Sequence, residues 1–190
     1  MILQTPAVET ATGHVAEMYR EDLDEAGFVY RHTAVMAINP EAHERFVDLV
    51  RSVVPSIGLR VYELATLGAA RAVPSPHCLL AHANKSITSG ALTEEEVGAI
   101  ARHEEDDALP PADAAVVAFA SRMTEDPTAM TDADSLRLRE VGFSDRQILD
   151  ITLAAGVRNL FSRTLRALAV PVEDVPGLDA ELASVLRGLG

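Results

Sequence analysis

Residues 58–90 read GLRVYELATLGAARAVPSPHCLLAHANKSITSG, and this stretch decides what the chain can be. From Gly58 to Val73 it is rich in Ala and Leu without period-2 alternation, the pattern of a buried helix. Pro74 breaks it. Ser75 then stands as the N-cap of a second helix with Pro76 at N1, which puts Cys78 at N3, and Gly90 takes the place of a C′ glycine.

A thiol in a first helical turn meets the positive end of the helix dipole and free backbone N–H groups. His82 follows Cys78 by four residues, one turn up the same face and within reach of the sulfur. A base so placed suits an activated nucleophile. Glu63 shares an otherwise apolar stripe with Leu59, Leu67 and Ala70, where a carboxylate needs a partner. Were that partner His82, the set Glu63, His82, Cys78 would follow the order orienter, base, nucleophile. His77 is expected at the rim of such a site. Plainer roles exist for each: Cys78 as a small buried hydrophobe, Ser75 as a cap accepting from the Cys78 N–H, His82 as a satisfied core histidine, Glu63 as a partner for Arg60 or Arg71. A metal held by His77, Cys78 and His82 is disfavoured, because adjacent helical residues rarely converge on one ion, and no cofactor is expected.

Around this centre the punctuation is helical. Asn39-Pro40-Glu41 opens a helix expected to end before Pro55; Thr93 with Glu96 and Ser144 with Gln147 are capping boxes; Gly142 closes a helix begun at Thr131; Pro110-Pro111 starts one reaching Met123. Thr12 to Ala26 and Leu178 to Leu186 are helical in pattern. Glu63–Arg71 and Asp150–Arg158 share an acid, small residues and an Arg at one spacing, which suggests an internal duplication. The acidic run Glu104 to Asp107 reads as a solvated loop, and Asp132-Ala133-Asp134 lacks the glycine and distal glutamate of a calcium loop.

Composition agrees. The 190 residues are 48% hydrophobic but only 4% aromatic, without Trp, so the core rests on aliphatic residues and the class is all-α. Sixteen basic against twenty-nine acidic residues give a net charge of −13, which opposes nucleic-acid binding. One cysteine excludes a disulfide within the chain, and Lys85 is the only lysine. Met1 to Glu9 has no basic start and apolar stretch, and no apolar run spans a bilayer; a cytoplasmic protein without membrane partners is expected.

Taken together these residues resemble the carboxymuconolactone decarboxylase superfamily, in its alkyl hydroperoxidase D-like, peroxidase-related branch. The family pattern runs Glu, eleven residues, Cys-x-x-Cys, three residues, His; here Glu63, Ser75-Pro76-His77-Cys78 and His82 keep that spacing. Asn39-Pro40-Glu41, Val141 to Asp150 and Asn159 to Arg163 extend the likeness. It implies one all-helical domain over 1–190 with duplicated halves, its core over 14–172 and a tail helix in 173–190, assembled as a homo-oligomer, trimer or hexamer. It also implies a peroxidatic Cys78, with His82 as its base, Glu63 orienting that base, and His77 on the polar rim. Ser75 departs from the family: a hydroxyl can donate a proton but cannot close a disulfide. The expectation is a one-cysteine reductase of small organic hydroperoxides, its sulfenic acid reduced by an external thiol or paired with Cys78 of another subunit, in a pocket lined by Leu67, Leu79 and Phe28. The rival readings are a non-redox decarboxylase or lyase using His82 and Glu63, with Arg60 or Arg71 meeting an anionic substrate, and a non-catalytic oligomer binding a hydrophobic ligand.

Overall fold

The computed structural model describes residues 1–188, and residues 189 and 190 of the tail lie outside the described part. The elements are α1 (Gly13–Ala26), α2 (Arg31–Met36), α3 (Pro40–Ala72), α4 (Pro76–Thr88), α5 (Glu94–Arg102), α6 (Glu105–Ala108), α7 (Pro111–Glu125), α8 (Asp132–Glu140), α9 (Asp145–Ala167) and α10 (Ala180–Gly188). No strand occurs among the described residues. Capping chemistry sets many of the starts. Asn39 Oδ1 accepts from the Ala42 amide at 3.0 Å, and the Thr93–Glu96 and Ser144–Gln147 boxes are both closed. Left-handed glycines stop others, Gly27 after α1 and Gly90 after α4.

Two expectations fail in an instructive way. The helix from Pro40 does not end at Pro55, which sits exposed inside α3, where its missing N–H costs a single bond. The break comes three residues later at Gly58, whose φ of 80° and ψ of 161° only glycine adopts readily. The acidic run Glu104 to Asp107 is not a free loop: α6 begins within it, and Glu105 is buried against Arg71.

The second half of α3 is the centre of the molecule. Leu64 to Ala70 are all buried, and Leu64, Ala65, Thr66, Leu67, Ala69 and Ala70 are each no more than 1% exposed. It packs mainly against α9 and α7, and the small residues Ala65, Ala69, Ala154 and Ala155 let the helices approach closely. Gly68 lies so near α7 that an added Cβ would meet the Val117 carbonyl oxygen at 2.8 Å. After the reversal at Pro74, α4 returns along α3, so Cys78 and His82 face the inner half of α3 and one side of α9. The tail helix α10 covers α4 and α5 from outside.

Candidate active site

The site forms where α2, α3, α4 and α9 meet. Glu63 on α3 is fully buried, and His82 Nδ1 donates to its Oε2 at 2.7 Å. With Nδ1–H committed to the carboxylate, Nε2 is left as the nitrogen able to take a proton. Burial and, after it, the Arg158 guanidinium hold the His82 pKa below its ordinary value, although Glu63 pulls the other way. A neutral imidazole, oriented by a carboxylate, results. The Glu63–His82 contact anticipated from spacing is thus present.

The sulfur's own partners differ from those expected. Cys78 is 2% exposed, and its Sγ accepts hydrogen bonds from Ser162 Oγ at 3.1 Å and from an Arg158 terminal nitrogen at 3.4 Å, both on α9. No hydrogen bond joins Sγ to His82 or to Ser75 among the described residues. Ser75 holds the N-cap position of α4 without capping it; its Oγ is buried with no protein partner, so it accepts nothing from the Cys78 N–H. His77 is buried rather than at an open rim. Its Nε2–H donates to the Val170 carbonyl at 2.8 Å and ties α4 to the chain after α9, and burial lowers its pKa.

Arg158 is the residue the sequence reading missed. Its counterpart in the repeat, Arg71, has a full complement: Glu105 at 2.8 and 3.0 Å, Ser121 Oγ at 3.1 Å, and the Ile100 carbonyl. Arg60, earlier on the same helix, is bound by Glu96 and Asp113. Neither lines the cavity that holds Cys78. Arg158 is equally buried, at 4% exposed, but has no carboxylate within ion-pair distance among the described residues, and its Nε has no partner. Burial disfavours its charge, yet Cys78, Tyr62 and Glu63 more than offset that and raise its pKa. The one sequence signal for it was the shared spacing of Glu63–Arg71 and Asp150–Arg158.

These groups line a cavity of about 300 Å³. Its depth is formed by Tyr62, His77, Cys78, His82, Arg158 and Phe161, and its mouth by the exposed Glu21, Glu25, Arg51 and Lys85. One wall is aromatic: Tyr30 stacks on His32 at 4.8 Å, His32 meets Phe161 edge-on at 5.7 Å, and Phe161 meets Phe46 at 5.1 Å. Leu67 and Leu79 are core residues facing away from this cavity, and Phe28 touches it only through Tyr30. His32 is a second missed residue. Burial first, then His77, His82 and Arg158, push its pKa down to about 3, so it stays neutral. At the mouth, burial pushes Asp22 up to about 6 while its Oδ2 accepts from the Tyr30 amide at the start of α2.

Comparison with known proteins follows the same lines. Residues 40–122, which include Glu63, Ser75, His77, Cys78 and His82, match the model of the carboxymuconolactone decarboxylase family. No curated protein sequence matches the chain. Solved structures match over nearly its whole length. One is an alkylhydroperoxidase AhpD core, an uncharacterized peroxidase-related protein from Ralstonia eutropha JMP134, with 21% identity, TM-score 0.74 and 97% and 95% of the two chains covered. A second is an uncharacterized peroxidase-related protein from Silicibacter sp. TM1040, with 21% identity, TM-score 0.76 and the same coverage. The debrominase Bmp8, as a cysteine-to-alanine variant in complex with 2,3,4-tribromopyrrole, shares 17% identity at TM-score 0.78, with 100% and 98% covered. The architecture is that of an AhpD-like helical protein. Residues 40–122 are thus similar to the carboxymuconolactone decarboxylase family, and the whole chain shares the fold of these solved structures.

Proposed function

We propose that the protein is a one-cysteine, thiol-dependent reductase of small organic hydroperoxides, with Cys78 as the attacking sulfur. The observation that carries this reading is the convergence on one cavity of the Cys78 sulfur, the His82–Glu63 pair and the buried Arg158. His82 takes the thiol proton on Nε2, and Glu63 stabilises the imidazolium that forms. The sulfur attacks the terminal peroxide oxygen; the S–O bond forms as the O–O bond breaks, and the alkoxide leaves. The proton on His82 passes to that alkoxide, so Cys78 becomes a sulfenic acid and the hydroperoxide an alcohol. Ser162 and Arg158 hold the sulfur throughout, and Arg158 balances the negative charge that moves from sulfur to oxygen.

The test is to treat reduced protein with one equivalent of cumene hydroperoxide and dimedone, and to weigh the intact chain. A dimedone adduct on Cys78 that forms at least about tenfold more slowly in His82→Ala supports the reading, given the usual contribution of a positioned base. An unmodified Cys78 rejects it. A second reading is favoured by the aromatic wall of Tyr30, His32, Phe46 and Phe161 and by the likeness to a debrominase. There the same thiol, with an external thiol as reductant, would replace a halogen on an aromatic ring by hydrogen. Bromide release from a brominated pyrrole without peroxide consumption separates the two.

A further inference from the structure

The cavity also defines what can return Cys78 to its thiol. In a chain with one cysteine the sulfenic acid has no internal thiol to meet, so both electrons must arrive from outside. The sulfur that receives them is 2% exposed, at the base of a cavity of about 300 Å³. Ser75, one turn earlier, is fully buried, and its hydroxyl can carry no electrons. No relay therefore runs from the surface to Cys78. We propose that the reductant is a low-molecular-weight thiol that enters the cavity itself, and that dithiol proteins of the Cys-x-x-Cys type are excluded. This rests on the thiol reading of Cys78 given above, and it goes beyond that reading by naming the second substrate.

Forming a disulfide brings two sulfurs to about 2 Å. A protein thiol sits on a broad surface, whereas Cys78 is 2% exposed in a cavity lined from α1, α2, α3, α4 and α9. A small thiol meets no such barrier, because the cavity that admits a hydroperoxide of similar size is open to it. The mouth carries Glu21, Asp22 and Glu25 against Arg51 and Lys85, so size rather than charge is the filter. The steps balance with two equivalents of thiol. The first attacks the sulfenic sulfur, forms Cys78–S–S–R and releases water, with His82 protonating the departing hydroxide. The second attacks the R-bearing sulfur, releases R–S–S–R and leaves Cys78 as thiolate. Both substrates occupy one cavity in turn, which gives ping-pong kinetics and inhibition by excess thiol.

The experiment bypasses peroxide chemistry. The native protein is loaded with 2,2′-dithiodipyridine, which makes a pyridyl disulfide at Cys78 and releases a coloured thione. A Cys78→Ala, Ser89→Cys double variant provides an exposed control, since Ser89 lies at the exposed end of α4. Each pyridyl disulfide is then reduced with dithiothreitol or with thioredoxin at equal thiol concentration. Thioredoxin is expected to be the faster reductant for the control. At Cys78 the order should reverse, with the ratio of the two rates changing by at least about a hundredfold. Thioredoxin that keeps its advantage at Cys78 overturns the proposal, as does a native Cys78 that dithiodipyridine fails to load while the control loads. Neither result depends on sulfenic acid formation, which the dimedone experiment tests separately.

Discussion

Arg71 and Arg158 share one spacing in two similar helical segments, and replacing each by Met should have opposite consequences. Arg71 and Glu105 form a buried ion pair supported by Ser121 and the Ile100 carbonyl. Its loss leaves Glu105 buried without its cation, a situation that costs about 3–5 kcal/mol. At about 2–4 °C per kcal/mol for a chain of this size, the Arg71→Met melting temperature falls by about 6–20 °C. Arg158 has no ion pair to break, and Met preserves the apolar stem that packs near Phe161. Glu63 keeps its hydrogen bond from His82, which becomes easier to protonate once the Arg158 charge is gone. The Arg158→Met stability change should therefore stay within about 1 kcal/mol, the range of a substitution that leaves no buried group orphaned.

Reactivity should run the other way. A hydrogen bond from a charged donor contributes about 1.5–3 kcal/mol. At 1.36 kcal/mol per decade, its loss slows attack by the Cys78 sulfur about ten- to hundredfold. The assay pairs thermal unfolding with the iodoacetamide rate of Cys78 at pH 7.5, measured well below the melting temperature of either variant. Arg71→Met should react within about threefold of the native protein. If Arg158→Met melts as low as Arg71→Met, or alkylates as fast as the native chain, Arg158 is a packing residue and the argument from the unmatched guanidinium is wrong.

Three further outcomes follow from particular contacts. Glu63→Ala should strip His82 Nδ1 of its acceptor and cost about 1–3 kcal/mol in stability, while Glu63→Gln keeps most of that stability and still loses peroxide turnover; chemical unfolding read beside turnover separates the two. His32, with its pKa depressed to about 3, refuses protons that the unfolded chain takes up below pH 6.5, so it lowers stability as pH falls. Asp22, raised to about 6, takes up protons first in the folded state and opposes that slope. The stability difference between the native chain and His32→Phe, measured by urea unfolding at pH 6 and pH 4, should therefore change by about 1.4 kcal/mol per pH unit in favour of the variant at low pH, while Asp22 cancels in the difference. Gly68→Ala would push a Cβ against the Val117 carbonyl and should destabilise by about 1–3 kcal/mol, visible as a lower melting temperature.

Much of the fold was written in local chemistry. Capping boxes, the Asn39 cap and closing glycines act within four residues, so the sequence displays them directly. The helix α2 escaped because six residues carry no periodicity, and its start is fixed by Asp22 and Glu173 accepting from the Tyr30 and Arg31 amides. Glu63 and His82 were legible as a pair because a carboxylate on an apolar stripe must find a partner nearby. The lining was not legible. Leu79 follows Cys78 in sequence, but one residue turns a helix by about 100°, which carries its side chain into the core.

What the sequence most concealed was how differently its two similar segments are used. Asp150, the counterpart of Glu63, is bound by Ser56 and Arg146, and Leu165 stands where the second copy would need a cysteine. The second copy thus carries no nucleophile and no base, yet it delivers Arg158 and Ser162 to the sulfur of the first, from 80 and 84 residues away in the chain. In the first copy an arginine on the same spacing is sequestered by Glu105; in the second that carboxylate is missing, and the sulfur stands in its place. A buried guanidinium without a carboxylate needs other acceptors, and the Cys78 sulfur is one of them. The asymmetry between two otherwise similar helices therefore leads to the same cavity as the proposed site without appeal to the motif around Cys78. It also makes a single substitution informative: Leu138→Glu, at the one buried side chain of α8, would disturb the core at large, whereas Ser162→Ala removes one donor from the sulfur and leaves Arg158 in place. Ser162→Ala should accordingly keep the native melting temperature within a few degrees while slowing Cys78 alkylation about three- to tenfold, the share of one neutral hydrogen bond of about 0.5–1.5 kcal/mol; an unchanged rate would assign the sulfur's environment to Arg158 alone.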